Sequence, residues 1–446
     1  MNMNLNTWFN KIISLVKSQL RWLTPGIGVK RWIFVILGGT TFLGVGFAIF
    51  LLDIYRTAPE TWWLPILSYA SLRFLDRTLR AVIFGIIGLG IVAIGIWGLN
   101  RSLLRPFLKP GKQVVETVSA YRRRERGPRI VTLGGGHGLS MLLRGLKNHT
   151  GNITAVVTVA DDGGSSGEIR RSIGILPPGD MRNCLAALSN DEALLTQIFQ
   201  YRFSERAGLN GHSFGNLFIT AMADITGSVE DAVTEAGRVL AVQGRVVPST
   251  LHDVKLVADI STPYSIKDIR VNGESEITKA PGEIKRVWLE PSNPQAYPPA
   301  IQSILSADLV IIGPGSLYTS ILPNLLVPDI VEALRASRAL KFFVCNVATQ
   351  RGETDGYQCG DHVSTIEKHL GQNIFDLVIC NKSFKGELPD DIDWVISEPD
   401  LNEQYSVYFS DLIDEGYPWR HDSNKLAQSI IDLYYERTGP LVLRDE

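Results

Sequence analysis

A short apolar run, Ile130–Leu133, ends abruptly in Gly134-Gly135-Gly136, and leucines follow at 139, 142, 143 and 146. Spacing of three and four puts those leucines on one face of a helix, and the run before them has strand length. A second buried-strand pattern, Ile153–Ala160, follows and ends in Asp161-Asp162-Gly163-Gly164. Strand, glycine turn, helix, strand is a βαβ unit, whose two strands must be parallel. The alternation returns later in the chain. Helical Ala300–Leu305 leads to the run Leu309–Ile312, closed by Gly313-Pro314-Gly315. Ile330–Leu340 leads to Phe342–Val347, Val363–Leu370 to Leu377–Cys380, and Lys425–Tyr435 closes as a helix. The pattern predicts an α/β fold with a doubly wound, Rossmann-like parallel sheet. Such sheets bind ligands at the carboxyl ends of their strands, where the glycine-rich segments of this chain fall. Residues 242–290, with β-branched runs and turn residues, read as an antiparallel excursion within the same domain.

Charge divides the 446 residues in two. Residues 1–129 carry 18 Lys/Arg against 5 Asp/Glu, a net of +13; the remainder carries 26 against 41, a net of −15, and the two sum to −2. An acidic body excludes nucleic acid as its partner, since a phosphate backbone requires a basic face. Cys184, Cys345, Cys359 and Cys380 form no C-x-x-C pair, which argues against a disulfide scaffold or a thiolate zinc cluster.

The basic third holds two stretches without a charge, 32–52 and 81–99, each long enough to cross a hydrocarbon core of about 30 Å as a helix. Lys and Arg cluster before the first and after the second, which places both termini and the body on the cytoplasmic side of the inner membrane. Neither stretch carries an ionisable group of the kind that transport uses, so the pair is expected to be a tether. Residues 1–31 contain an amphipathic segment suited to the inner membrane surface. The expected organisation is 1–31 interfacial, 32–99 transmembrane hairpin, 100–128 basic linker, and 129–446 nucleotide-binding domain.

Four segments carry candidate chemistry. Gly134, Gly135, Gly136, His137 and Gly138 lie between a strand and a helix, where backbone N–H groups can meet a phosphate at the positive helix end. The segment is neither G-x-G-x-x-G nor a P-loop. Asp161 and Asp162, followed by Gly163, Gly164, Ser165 and Ser166, can hold Mg²⁺, bind ribose hydroxyls or act as bases. In Pro177-Pro178-Gly179-Asp180, Asp180 is a candidate N-cap, with Arg182 and Asn183 in the first helical turn. Gly313, Gly315, Ser316 and Thr319 repeat the strand–glycine–helix geometry; two such loops can embrace a pyrophosphate from both sides. Asn293, Thr349 and Gln350 add polar groups at further strand ends, and His212 and Asn216, one turn apart, are candidates for the same cleft. The chain has no G-x-S-x-G, no H-E-x-x-H and no His/Cys cluster, so hydrolytic triads and zinc chemistry are not expected.

The segments GGGHGLSMLLRGLK, ITAVVTVADDGGSSGEIR, GILPPGDMRNCLAAL, HSFGNLFITAM, ADLVIIGPGSLYTSILPNLLV and NVATQRGETDGY resemble, in order over about residues 129–437, the gluconeogenesis factor family. That family is allied to the 2-phospho-L-lactate transferases of deazaflavin cofactor synthesis. The resemblance implies a nucleotide-diphosphate ligand, UDP-N-acetylglucosamine or a similar UDP-sugar, and a role in cell shape and envelope synthesis during gluconeogenic growth. It implies Mg²⁺ and acceptor near Asp161 and Asp162, phosphates at the first glycine loop, and an assisting Arg420 in Tyr417-Pro418-Trp419-Arg420-His421-Asp422. His137 stands where the family has Thr, and Ala348 where it has Met. The expected function is a membrane-tethered regulatory binder of a nucleotide sugar, with an envelope-synthesis protein as partner and a homo-oligomeric body. The alternative is an Mg²⁺-dependent transferase using Asp161, Asp162 and Asp180. A third, an NAD-dependent enzyme, is weakened by the broken glycine fingerprint.

Overall fold

The computed structural model describes parts of 34–48, residues 69, 72 and 74–104, and residues 124–439 except 190–191, 205–208, 210, 264–265, 373 and 399. The chain divides into two units, Met1–Arg123 and Arg124–Glu446.

In the first unit the helix Arg77–Leu104 contains Thr78–Ile96, 19 residues of mean hydropathy 2.4, long and apolar enough to cross a membrane. The expected span 81–99 falls inside this helix. The described residues of the span 32–52 are helical. The rest of that span, the surface segment 1–31 and most of the linker lie outside the described residues.

The second unit begins inside the expected linker. The carbonyl of Arg124 accepts N–H bonds from Gly127 and Gly151, and the Arg124 guanidinium donates to Gln243 at 3.3 Å. Seven parallel strands follow: β1 (Ile130–Gly134), β2 (Ile153–Val157), β3 (Arg245–Pro248), β7 (Leu309–Ile312), β8 (Leu340–Val344), β9 (Leu377–Asn381) and β10 (Val407–Ser410). Their order is β10-β9-β8-β7-β1-β2-β3. β1, β2, β7 and β9 are buried at every position, as strands covered by helices on both faces must be. The chain leaves β1 toward β2 and β3 on one side, and β7 begins the run to β10 on the other. The reversal between β1 and β7 opens the crevice that this topology uses for ligands.

β4 (Lys255–Ser261), β5 (Ile269–Asn272) and β6 (Glu283–Glu290) form the antiparallel sheet expected in 242–290, in the order β5-β4-β6. Arg245–Pro248, expected within that excursion, instead pairs with β2 in the main sheet. Other boundaries also move, among them the strand expected over Phe342–Val347, which runs over Leu340–Val344. The helix expected to run to Leu340 ends at Ala336, because residues 337–339 turn the chain so that Leu340 can pair beside Leu309. β2 stops at Val157; the next residue still donates its N–H to Gly134 O, and its hydroxyl then accepts from Ala160 N–H as the chain leaves the sheet. The Gly/Ser segment after Asp162 is not a loop: Gly164 opens the helix Gly164–Ile173.

Candidate functional site

A cleft of about 800 Å³ lies at the carboxyl ends of β1 and β7. Its floor is made by the two glycine loops. Gly135, Gly136, His137 and Gly138 line it from the β1 side, Gly315 and Ser316 from the β7 side. The loops touch: a methyl group on Gly138 would lie 2.5 Å from the Pro314 carbonyl oxygen. Gly136 has φ +61, a left-handed backbone that glycine adopts without strain. It starts the helix Gly136–Leu146, so the positive end of that helix faces the cleft. Gly134 sits just behind, its carbonyl accepting from Asn324 Nδ2 at 2.9 Å. Gly313, at φ +78, turns the chain out of β7 without lining the cleft. Asn346 braces the second loop through both amide atoms, accepting from Gly315 N–H at 3.2 Å and donating to Gly315 O at 2.8 Å.

One wall is basic. Arg144, Arg351 and Arg420 line it. Arg420 lies 5.3 Å above the Tyr417 ring, and Arg351 pairs with Asp391 at 2.8 Å. His137 projects among these groups. Desolvation, then the positive field of Arg420, Arg144 and Arg182, pushes its imidazole below the ordinary value, so it is neutral at pH 7.

Asp161, Asp180 and Glu274 bring acid to the same lining. Burial raises the Asp161 carboxyl, opposed by the bond it accepts from Gly163 N–H at 2.9 Å. Asp180 is pushed up to about 7 by burial and then by Asp161, while a bond from Gly136 N–H holds it down. Asp180 is thus no N-cap. Its helix starts one residue earlier, at Gly179, with Pro178 in the cap position, which leaves the carboxylate free to bond across to the first glycine loop. Glu274 is pushed up to about 10, first by burial and then by Asp161, Asp180, Glu353 and Asp162. Its Oε2 atom is shielded from solvent and has no hydrogen-bond partner. A divalent cation suits this donor set, because like-charged buried carboxyls gain from one. Among the described residues no three acidic, histidine or cysteine side chains form a ready cage. Asp161 and Asp180 would hold Mg²⁺ together with ligand phosphates, its usual mode of binding.

Several expected residues sit beside the cleft and serve it indirectly. Ser165 and Ser166 are in the first turn of Gly164–Ile173, where Asn216 Nδ2 donates to both hydroxyls, at 3.0 and 3.3 Å. His212 Nδ1 shares a 3.0 Å bond with Ser165 Oγ. His212 and Asn216 therefore converge as expected, on the helix and not in the cleft. Arg182 is 9% exposed and bonds Ser213 and, at 3.0 Å, Asn183; it locks two helices, and neither it nor Asn183 lines the cleft. Gly163 and Gly164 lie outside the lining too. Thr319 is buried and donates to Glu353 at 2.9 Å. Ser316 donates to Gln350 at 2.6 Å, and Gln350 donates to Glu353 at 2.8 Å, so Ser316 and Gln350 join the cleft to that buried carboxyl. Thr349 lines the cleft while its hydroxyl accepts from Asp393 N–H at 2.8 Å. Asn293 is exposed and apart from the cleft. Asp162 does not line it either: its Oδ1 accepts from Ser275 N–H at 2.9 Å and Oγ at 2.8 Å.

The sequence pattern passed over Arg144, Asn346, Trp419, His421 and Glu274, all of which line the cleft. Arg144 had a signal, being seven residues from His137 on one helix face. Glu274 had none, since it arrives from the excursion.

The family described as 2-phospho-L-lactate transferase CofD matches residues 130–424. A relative in Nostoc sp. is 48% identical over 82% of this chain and 80% of its own; the 373 aligned residues outnumber Arg124–Glu446, so the similarity continues into the N-terminal unit. The Gluconeogenesis factor of Bacillus subtilis is 45% identical over 69% of this chain and 99% of its own. A crystal structure of a UPF0052-family member from Bacillus halodurans superposes with a TM-score of 0.63 at 41% identity, covering 69% of this chain and 99% of that one.

Proposed function

The chain belongs to the 2-phospho-L-lactate transferase CofD family, and on that premise we propose that its cleft binds a nucleoside diphosphate sugar, UDP-N-acetylglucosamine foremost, as a regulatory ligand. One observation carries the reading: two glycine loops at a topological switch point share the lining of one cleft with Arg144 and Arg420. Backbone N–H groups and a helix N-terminus suit a diphosphate, and guanidinium groups complete its charge. Neutral His137 adds a donor without competing for those charges.

The ligand state is passed to a protein of envelope synthesis, which connects the cleft to cell shape under gluconeogenic growth, as suits relatives named gluconeogenesis factors. The body works as a homo-oligomer, tethered to the inner membrane by the segments 32–52 and 81–99. Titrating the full chain with uridine, UDP and UDP-N-acetylglucosamine tests the ligand. UDP and the UDP-sugar should bind and uridine should not; binding of none of them refutes the reading. Protease protection in sealed vesicles tests the tether, which fails if the C-terminus is exposed outside.

A transferase reading is favoured by one specific feature. Asp180, pushed up to about 7, has the affinity for protons of a general base at neutral pH. In that reading Asp161 would hold Mg²⁺ with the ligand phosphates, and the metal would supply charge neutralisation there. Asp180, off the metal, takes the proton of an acceptor hydroxyl whose oxygen attacks the distal phosphorus as the nucleoside monophosphate leaves, and Arg144 and Arg420 orient the diphosphate. Mass spectrometry of the UDP-sugar after incubation with Mg²⁺ separates the two. Recovery of intact ligand supports regulation, and a new phosphorylated product, lost in Asp180→Asn, replaces that reading with the transferase.

A further inference from the structure

We propose that Glu274 reads the sugar end of the ligand, and that Asp162 is the positioning residue that holds Glu274 in the cleft. The inference rests on the nucleotide-sugar reading. Glu274 opens the short helix Glu274–Ile277 between β5 and β6, and it is the excursion's contribution to the lining of the cleft. Both of its chain neighbours are pinned. Gly273 donates its N–H to Leu256 O at 2.8 Å. Its φ of +94 leaves room for the Asp162 carboxylate, which a methyl group at 273 would strike. Ser275 gives both its N–H and its hydroxyl to Asp162 Oδ1. Ile277 is fully buried and closes the turn. The carboxyl between these anchors is held in place with one oxygen, Oε2, shielded from solvent and unpartnered.

With Mg²⁺ held by Asp161 and Asp180 together with the ligand phosphates, Glu274 is the acidic group of the lining left without a role at the diphosphate. What remains to face Glu274 is the hydroxyl- and amide-bearing part of the ligand, which can supply O–H or N–H to the carboxyl where it lines the cleft. A bond made there, out of water, discriminates strongly between a ligand that has the donor and one that lacks it. Asp162, with Oδ1 engaged by Ser275 and the side chain outside the cleft lining, acts on the ligand only through Glu274.

Calorimetric titration of the full chain with UDP and with UDP-N-acetylglucosamine tests this. Glu274→Ala should weaken the UDP-sugar roughly 10- to 30-fold, the scale of one hydrogen bond to an ionisable group, and change UDP less than about 2-fold. Glu274→Gln should restore most of the loss. Asp162→Asn and the milder Ser275→Ala should weaken the UDP-sugar alone, leave its Mg²⁺ dependence unaltered, and add nothing to Glu274→Ala, as coupled residues do. Equal loss for both ligands, or none, in Glu274→Ala overturns the role of Glu274. Loss of the Mg²⁺ dependence in Asp162→Asn overturns the positioning role. A wild-type chain that binds neither UDP nor the UDP-sugar fails the nucleotide reading itself, and this inference with it.

Discussion

The glycine-rich segments after β1 and after β2 look alike in sequence and have opposite fates. Gly134–Gly138 stays open to the cleft; the segment from Gly163 to Ser166 is folded away as the first turn of a helix whose hydroxyls are taken by Asn216 and His212. The difference lies in position. β1 stands at the point where strand order reverses and has β7 beside it, whereas β2 lies one strand into the sheet. Only at the reversal do two adjacent loops diverge to opposite faces and leave a crevice. A glycine-rich strand end is therefore a ligand site when its neighbour strand turns away, and a packing device when it does not.

Substituting Gly138 should break this contrast most severely. Gly138→Ala drives a methyl group into the Pro314 carbonyl and the Gly315 backbone. Overpacking costs roughly 1–3 kcal/mol, and the upper end applies because backbone atoms must give way. UDP affinity should fall by about that amount, whereas Gly164→Ala, with open space around it but a left-handed φ of +47, should cost about 1 kcal/mol of stability and leave the UDP affinity of the folded protein within about 2-fold. Equal effects would erase the distinction between the loops.

The arginines sharpen it next. Arg420→Ala should weaken UDP by about 1.5–3 kcal/mol, the scale of a charge-assisted hydrogen bond, with little change in thermal stability. Arg182→Ala should do the reverse and lower the melting temperature, because it unlocks Ser213 and Asn183. Preferential loss of UDP affinity in Arg182→Ala would place that guanidinium on the phosphate.

Asn216→Ala removes the amide that ties both serines of the second segment. It should cost about 1–2 kcal/mol of stability by leaving their hydroxyls short of a partner, measured by denaturant unfolding, with UDP affinity at the remaining folded sites unchanged.

The smallest effect is a pH signature of the acidic residues in the cleft. Glu274 has a folded value of about 10 against 4.5. Its protonated form is favoured by folding, so that contribution is complete below about pH 4.5 and is lost as pH rises toward 10. Glu274→Gln should stabilise the ligand-free protein at pH 8 by about 1 kcal/mol, seen as a higher melting temperature, and leave its stability unchanged at pH 4. A gain independent of pH would mean that the carboxyl is ionised throughout.

Much of the fold was legible because its signals are local. Ile130–Leu133, Leu309–Ile312 and Leu377–Cys380 each declare a buried strand by unbroken apolar composition, and the leucines from 139 to 146 declare their helix by spacing. β3 and β10 were not legible. Arg245–Pro248 and Val407–Ser410 are short edge strands whose partners alone make them strands. The glycine loops, Asp161 and Thr349 were legible as candidates for the cleft because strand ends are marked by composition, whereas Asp180 was singled out with its Pro-Gly turn and Arg420 through the family resemblance. Arg182 was misread for the same reason: an arginine in a first helical turn looks the same whether it faces an anion or a neighbouring cap.

By itself the sequence determined the parallel α/β class and the strand ends at which a ligand can sit, since those follow from periodicity and turn chemistry within a few residues, and its ordered motifs carried the resemblance to the family. Only the tertiary structure decided which polar groups share a cleft. It brought Glu274 across from the antiparallel sheet to Asp161 and Asp180, turned Asp162 toward Ser275, and withdrew His212 and Asn216 to brace a helix. Those outcomes depend on contacts between residues 47 to 113 positions apart. No local pattern encodes them, because a side chain's partner is set by how whole elements pack and not by its neighbours along the chain.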